Sequence, residues 1–140
     1  MKYWDASALV PLVIQETHTK RVRAWLERDP AIVTWAWTRV EIAGAVERRT
    51  RDGSLTPAQR RVVLDRFHAL AETWDEVTDI IAVRAKAMPI LTRHALRAAD
   101  AAQLGAALLI AESPDAGVDF VCLDERLAAA AEREGLRVLA

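Results

Sequence analysis

FVCLDERLAAAAEREGLRVL, residues 120–139, holds a strand, a helix and a second strand in close succession. Phe120 to Leu123 is an unbroken apolar run, Asp124 to Glu134 has helical character, and Gly135 stops that helix before the strand Arg137 to Leu139. A strand without polar alternation is buried on both faces, which is the habit of parallel sheets. Parallel neighbours need a crossover between them, and the helix after Asp124 has the position of one.

The same rhythm extends toward the N-terminus. Lys2 to Trp4 is predicted as a strand and Ala6 to Val13 as a helix; Thr17 or His18 to Arg28 is helical until Asp29-Pro30, because a residue before proline avoids the α region. Ile32 to Thr34 is a second strand. Trp37 to Arg51 has helical spacing through Val40, Ala43 and Val46 and ends at Asp52-Gly53. Thr56-Pro57-Ala58-Gln59 is a capping box that opens a helix to about residue 72, with Val63, Leu64, Phe67 and Leu70 as its core stripe. Trp74 to Val77 is a third strand, and Thr78 is expected to cap a helix through Ala87 that Met88-Pro89 closes. Arg97 to Ala111 has almost no polar face and is expected to be buried. Strands alternating with helices define an α/β chain with a parallel sheet covered on both faces.

The 140 residues, 52% hydrophobic and 28% charged, suit one domain spanning 1–140, and no repeat or linker divides them. Cys122 is the lone cysteine, and His18, His68 and His94 lack zinc-site spacing, so a reducing cytoplasm is expected. Asp5 interrupts the N-terminal apolar stretch too early for a secretory signal. The longest weakly polar run, Ala98 to Ala111, falls short of the ~20 residues that cross a bilayer, so no membrane role is expected.

A formal net charge of −1 does not mark the whole chain as a nucleic-acid binder. Between Arg39 and Arg66, however, Arg39, Arg48, Arg49, Arg51, Arg60, Arg61 and Arg66 outnumber the acids, a candidate phosphate-facing patch or simply a set of solvated helix faces. Trp4, Trp25, Trp35 and Trp37 crowd the N-terminal part of the chain, where they serve either packing or the stacking of bases or a partner helix.

In parallel α/β sheets, ligands bind beyond the carboxyl ends of strands. Asp5 and Asp124 directly follow strands, although either also suits a helix N-cap. Asp100 lies in the first turn of the apolar helix, where its charge needs compensation by the helix N-terminus, by Arg97 or by a cation. Glu41 lies in the first turn of another helix, among Trp37, Thr38, Gly44 and Ala45. If the four converge, their mutual repulsion calls for a hard cation with oxygen preference, Mg²⁺ or Mn²⁺. Such ions bind phosphate oxygens, activate water and stabilise a leaving oxygen, which is the chemistry of phosphodiester hydrolysis.

Over essentially its whole length the chain resembles the PIN-domain ribonucleases, and more narrowly the VapC toxins of bacterial toxin–antitoxin pairs. YWDASALVPL resembles the first family motif and nominates Asp5, with Ser7 in support; TRVEIAGAV resembles the second and nominates Glu41. HALRAADAAQLGAALL resembles the third and nominates Asp100, and the opening 120–139 stretch resembles the fourth and nominates Asp124. Cys122 stands where the family often has threonine or serine, and Asp119 is a nearby competitor for the fourth acid.

The resemblance implies a three-layer fold of about 4 to 5 strands and about 7 helices. It also implies a metal-dependent endoribonuclease that forms a homodimer and is silenced by a cognate VapB-type antitoxin. Asp5, Glu41 and Asp100 would be the main metal ligands, with Asp124 at a second ion or at the attacking water. One rival is a PIN nuclease that processes RNA without an antitoxin. Another is a Mg²⁺-dependent phospho-acceptor signalling domain, which wants a strand-end lysine although none occurs after Lys86; an aspartyl-phosphate phosphatase would want a paired Asp-x-Asp.

Overall fold

The computed structural model describes residues 1–140. Five strands and seven helices alternate: β1 Lys2–Trp4, α1 Ala6–Val13, α2 Thr19–Arg28, β2 Val33–Trp35, α3 Thr38–Arg51, α4 Pro57–Ala71, β3 Asp75–Val77, α5 Ile80–Arg93, α6 Ala98–Ala111, β4 Asp119–Val121, α7 Glu125–Arg133 and β5 Arg137–Leu139. The strands form one sheet in the order β3-β2-β1-β4-β5, every pair parallel. The chain winds outward from β1 through β2 to β3, then crosses back to β4 and β5. With right-handed crossovers, α1 to α4 must cover one face and α5 to α7 the other.

Two cores follow from alternation along β1. Trp4 faces a core shared with Leu9, Val22, Ile42, Val46 and Phe67. Tyr3 faces the opposite one, with Val83, Ile90, Leu104, Phe120 and Leu127. The order reverses beside β1, so the β1–β4 junction is the switch point where a crevice opens at the carboxyl ends of the strands.

Most expected boundaries lie within a residue or two of the observed ones, and β2 starts one residue later than expected. The α5 expectation needs correction. Asp79, not Thr78, caps the helix, accepting from Ala82 N–H at 3.0 Å, and the helix runs through Pro89 to Arg93. Proline removes the N–H that would reach the Ala85 carbonyl, but both residues are exposed and water can serve that oxygen. Ile90, fully buried two turns beyond Val83, supplies the burial that carries the helix past the break. α6 is buried through its middle, from Gln103 to Ala107, whereas Ala98 and Ala99 are exposed and Leu108 to Ala111 half-buried, because its ends reach the rims of the sheet.

Candidate metal centre

Asp5 leaves the end of β1 and caps α1, accepting the Ser7 N–H at 3.0 Å. The Ser7 hydroxyl donates to the same carboxylate oxygen, Oδ2, at 2.5 Å and accepts the Leu123 N–H at 2.9 Å. Ser7 thereby ties Asp5 to the strand end that leads to Asp124. Cys122, buried where the family often has Thr or Ser, directs its thiol toward Asp5 Oδ2 and the Asp124 carbonyl at 3.6 and 3.4 Å. Burial pushes this thiol far above its ordinary range, so it acts as a small neutral filler.

Asp124 caps α7, accepting the Leu127 N–H at 2.9 Å, and its side chain is exposed at the crevice mouth. Asp100, in the first turn of α6, accepts the Arg97 backbone N–H at 3.4 Å. Glu41, in the first turn of α3, accepts from Gln103 Nε2 at 2.9 Å.

Asp5, Glu41, Asp100 and Asp124 line one cavity of about 320 Å³, joined by Ser7, Arg48 and Arg97. Asp100, Asp124 and Arg97 also line an adjoining trough of about 860 Å³ that Arg126 borders. Asp119 lies outside this cavity: it begins β4 at the opposite end and pairs with Arg137 at 2.5 Å.

The charges are poorly compensated. Burial pushes Asp5 up to about 6, Ser7 opposing the shift and the Asp100 charge adding to it. Burial likewise pushes Glu41 up to about 7, against the Gln103 bond, and the charges of Asp5 and Asp100 add to it. Asp100 is raised by burial and by Asp124, while the Arg97 N–H and guanidinium oppose. None of these carboxylates makes an ion pair. The Trp35 indole N–H lies buried beside Glu41 without a well-formed hydrogen bond.

Such a donor set, oxygen only and short of positive charge, fits a hard divalent cation. No three His, Cys, Asp or Glu side chains yet stand at the spacing of a closed metal site, so ligation requires side-chain adjustment. Asp100, half-exposed, and Asp124, exposed, have the freedom for it.

Sequence reasoning passed over a polar network beneath the carboxylates. The Tyr3 hydroxyl donates to Gln103 Oε1 at 2.7 Å, and Gln103 Nε2 donates to Thr38 Oγ1 at 3.0 Å as well as to Glu41. Thr34 bonds Thr38 at 2.7 Å and donates to the Trp4 carbonyl at 2.8 Å. A detectable signal did exist: Gln103 is the one amide on an otherwise apolar stretch, three residues after Asp100 and so on its face.

The arginines of the candidate patch differ in their partners. Arg39, Arg49 and Arg60 are locked to Glu76, Glu16 and Glu47, and only Arg48 of the set reaches the acidic cavity. The tryptophans divide too: Trp4 is core, Trp25 lies under the Arg21 guanidinium, and Trp37 is 54% exposed. No lysine lines the carboxylate cavity, which removes the strand-end cation that a phospho-acceptor domain needs.

Residues 2–133 match the family model of the PIN domain. The chain belongs to the PIN-domain family. PIN domains are in general metal-dependent nucleases, typically using Mg²⁺ or Mn²⁺. Among solved structures, the PIN fold described here is similar to the crystal structure of PAE2754 from Pyrobaculum aerophilum, with 19% identity and a TM-score of 0.66 over 98% of this chain and 82% of that one. No curated protein matches this PIN domain by sequence. No helix of it is long and apolar enough to cross a membrane.

Proposed function

We propose that this PIN domain is a Mg²⁺- or Mn²⁺-dependent endoribonuclease, the VapC-type toxin of a type II toxin–antitoxin pair. The observation that carries the nuclease reading is the convergence of Asp5, Glu41, Asp100 and Asp124 on one cavity with none of them in an ion pair. Asp5, Glu41 and Asp100 would hold the ion, and Ser7 keeps Asp5 in place. A divalent ion supplies charge neutralisation at a phosphodiester and a lowered pKa for water. Asp124, the most exposed of the four, would either hold a second ion or orient the attacking water. Arg48, Arg97 and Arg126, all exposed and free of ion pairs, flank the carboxylates where the backbone of an RNA strand would lie.

Attack by water, with the ribose 2′-hydroxyl uninvolved, leaves a 5′-phosphate and a 3′-hydroxyl. The test is to titrate Mn²⁺ into the wild type and Asp100→Asn while following cleavage of cellular RNA and the chemistry of the ends. Cleavage by the wild type alone, with 5′-phosphate products, is expected. Equal activity in both proteins, or 2′,3′-cyclic ends, would refute the mechanism.

The toxin role rests on the motif resemblance, as do restraint by a VapB-type antitoxin, a homodimeric state and action in the cytoplasm. Co-expression with the product of the neighbouring gene separates a restrained toxin from an RNA-processing PIN nuclease, since only the former is silenced in the complex.

A further inference from the structure

Gln103 is fully buried, on a helix whose neighbouring residues are alanine, leucine and glycine. An unpaired amide there would be strongly unfavourable, so its bonds define what the side chain is for. Its two ends are not interchangeable. The carbonyl Oε1 takes the Tyr3 hydroxyl at 2.7 Å, and Nε2 is aimed at Thr38 Oγ1 and Glu41 Oε1 at 3.0 and 2.9 Å. Flipping the amide would set its oxygen against the Glu41 carboxylate. Tyr3 is itself fixed, fully buried and stacked on Phe120 at 5.6 Å with 8° between the rings.

We infer that Gln103 is a positioning residue for Glu41. Locked by Tyr3, it holds one carboxylate oxygen on the floor of the crevice, so that the other is presented to a divalent cation shared with Asp5 and Asp100. This inference rests on the metal-nuclease reading and adds to it a residue that touches neither metal nor RNA. Gln103 joins three elements that carry or adjoin the acids: β1 through Tyr3, α3 through Thr38 and Glu41, and its own α6 one turn beyond Asp100. A buried outer partner that orients a ligand typically contributes 10–100-fold to metal affinity. A purely structural amide contributes to stability alone.

The full chain is used, with Mn²⁺ as the probe and its binding read by electron paramagnetic resonance, independently of any cleavage. Gln103→Leu is expected to weaken Mn²⁺ binding about 10–100-fold. It should raise by a similar factor the Mn²⁺ needed for half-maximal RNA cleavage. Because Gln103 acts through Glu41, the double variant Gln103→Leu/Glu41→Gln should bind no more weakly than Glu41→Gln alone. Tyr3→Phe keeps the amide but removes its lock, and should weaken binding in the same direction by less. It serves as the test if Gln103→Leu does not fold. Unchanged Mn²⁺ affinity in the folded variants, or losses that add in the double variant, would overturn the positioning role and leave the nuclease reading standing. A wild-type chain that takes up no Mn²⁺ would overturn both.

Discussion

Asp5 is 4% exposed and shares a cavity with three other acids, so its charge is tolerated at a cost that depends on pH. Its carboxyl is raised to about 6 and that of Glu41 to about 7, both chiefly by burial. In the unfolded chain these groups titrate near 4. Between about pH 4 and 7 the folded state therefore binds more protons, and the stability of the metal-free chain must fall as pH rises through that window. Asp29, Glu47, Asp52, Glu76 and Glu134 are lowered and act oppositely, losing their contribution only as pH falls below the ordinary carboxylate range. Thermal melting in EDTA should accordingly give a lower Tm at about pH 8 than at about pH 5. Asp100→Asn should melt no lower than wild type and show a shallower decline, because the Asp100 charge is one cause of both elevations. A markedly lower Tm for that variant would make Asp100 a structural residue.

At the scale of elements, α5 and α6 are held together where Gly105 omits a side chain. A Cβ there would meet the Val83 carbonyl oxygen at 3.1 Å, the Ala87 nitrogen at 3.2 Å and Lys86 Cβ at 3.3 Å. Two of these atoms are helix backbone and cannot turn aside. Gly105→Val is expected to cost about 1–3 kcal/mol by overpacking, read from urea unfolding monitored by circular dichroism. An unchanged midpoint would show that the two helices part freely. Local signals announced some elements well. Thr56 and Gln59 form both bonds of the capping box, at 2.9 and 3.1 Å, because that motif closes within four residues. Pro89 misled for the complementary reason. Proline's cost is local and visible in the sequence, whereas the burial of Ile90 that outweighs it exists only once α5 packs against α6.

On the scale of the whole molecule, α5 presents Ile81 and Met88 at 61% and 64% exposure, with Leu91 beyond them. An apolar stripe on one helix face is the kind of surface a second copy covers, and it supports the proposed homodimer. Sedimentation should show a wild-type dimer and a Met88→Lys monomer that stays folded. A monomeric wild type would end that proposal. The sequence by itself determined the α/β alternation and the four acids worth weighing, since hydrophobic periodicity and turn chemistry are encoded in short stretches. Only the tertiary structure decided that β1 and β4 adjoin, that Asp5 and Asp124 therefore flank one crevice while Asp119 sits at the far end, and that Arg39, Arg49 and Arg60 are bound elsewhere. The Tyr3–Gln103–Glu41 chain belongs to the same class, joining residues 100 and 62 positions apart. Strand order and long-range hydrogen bonds come from packing the layers together, and no local pattern records which distant partners that packing will bring into contact.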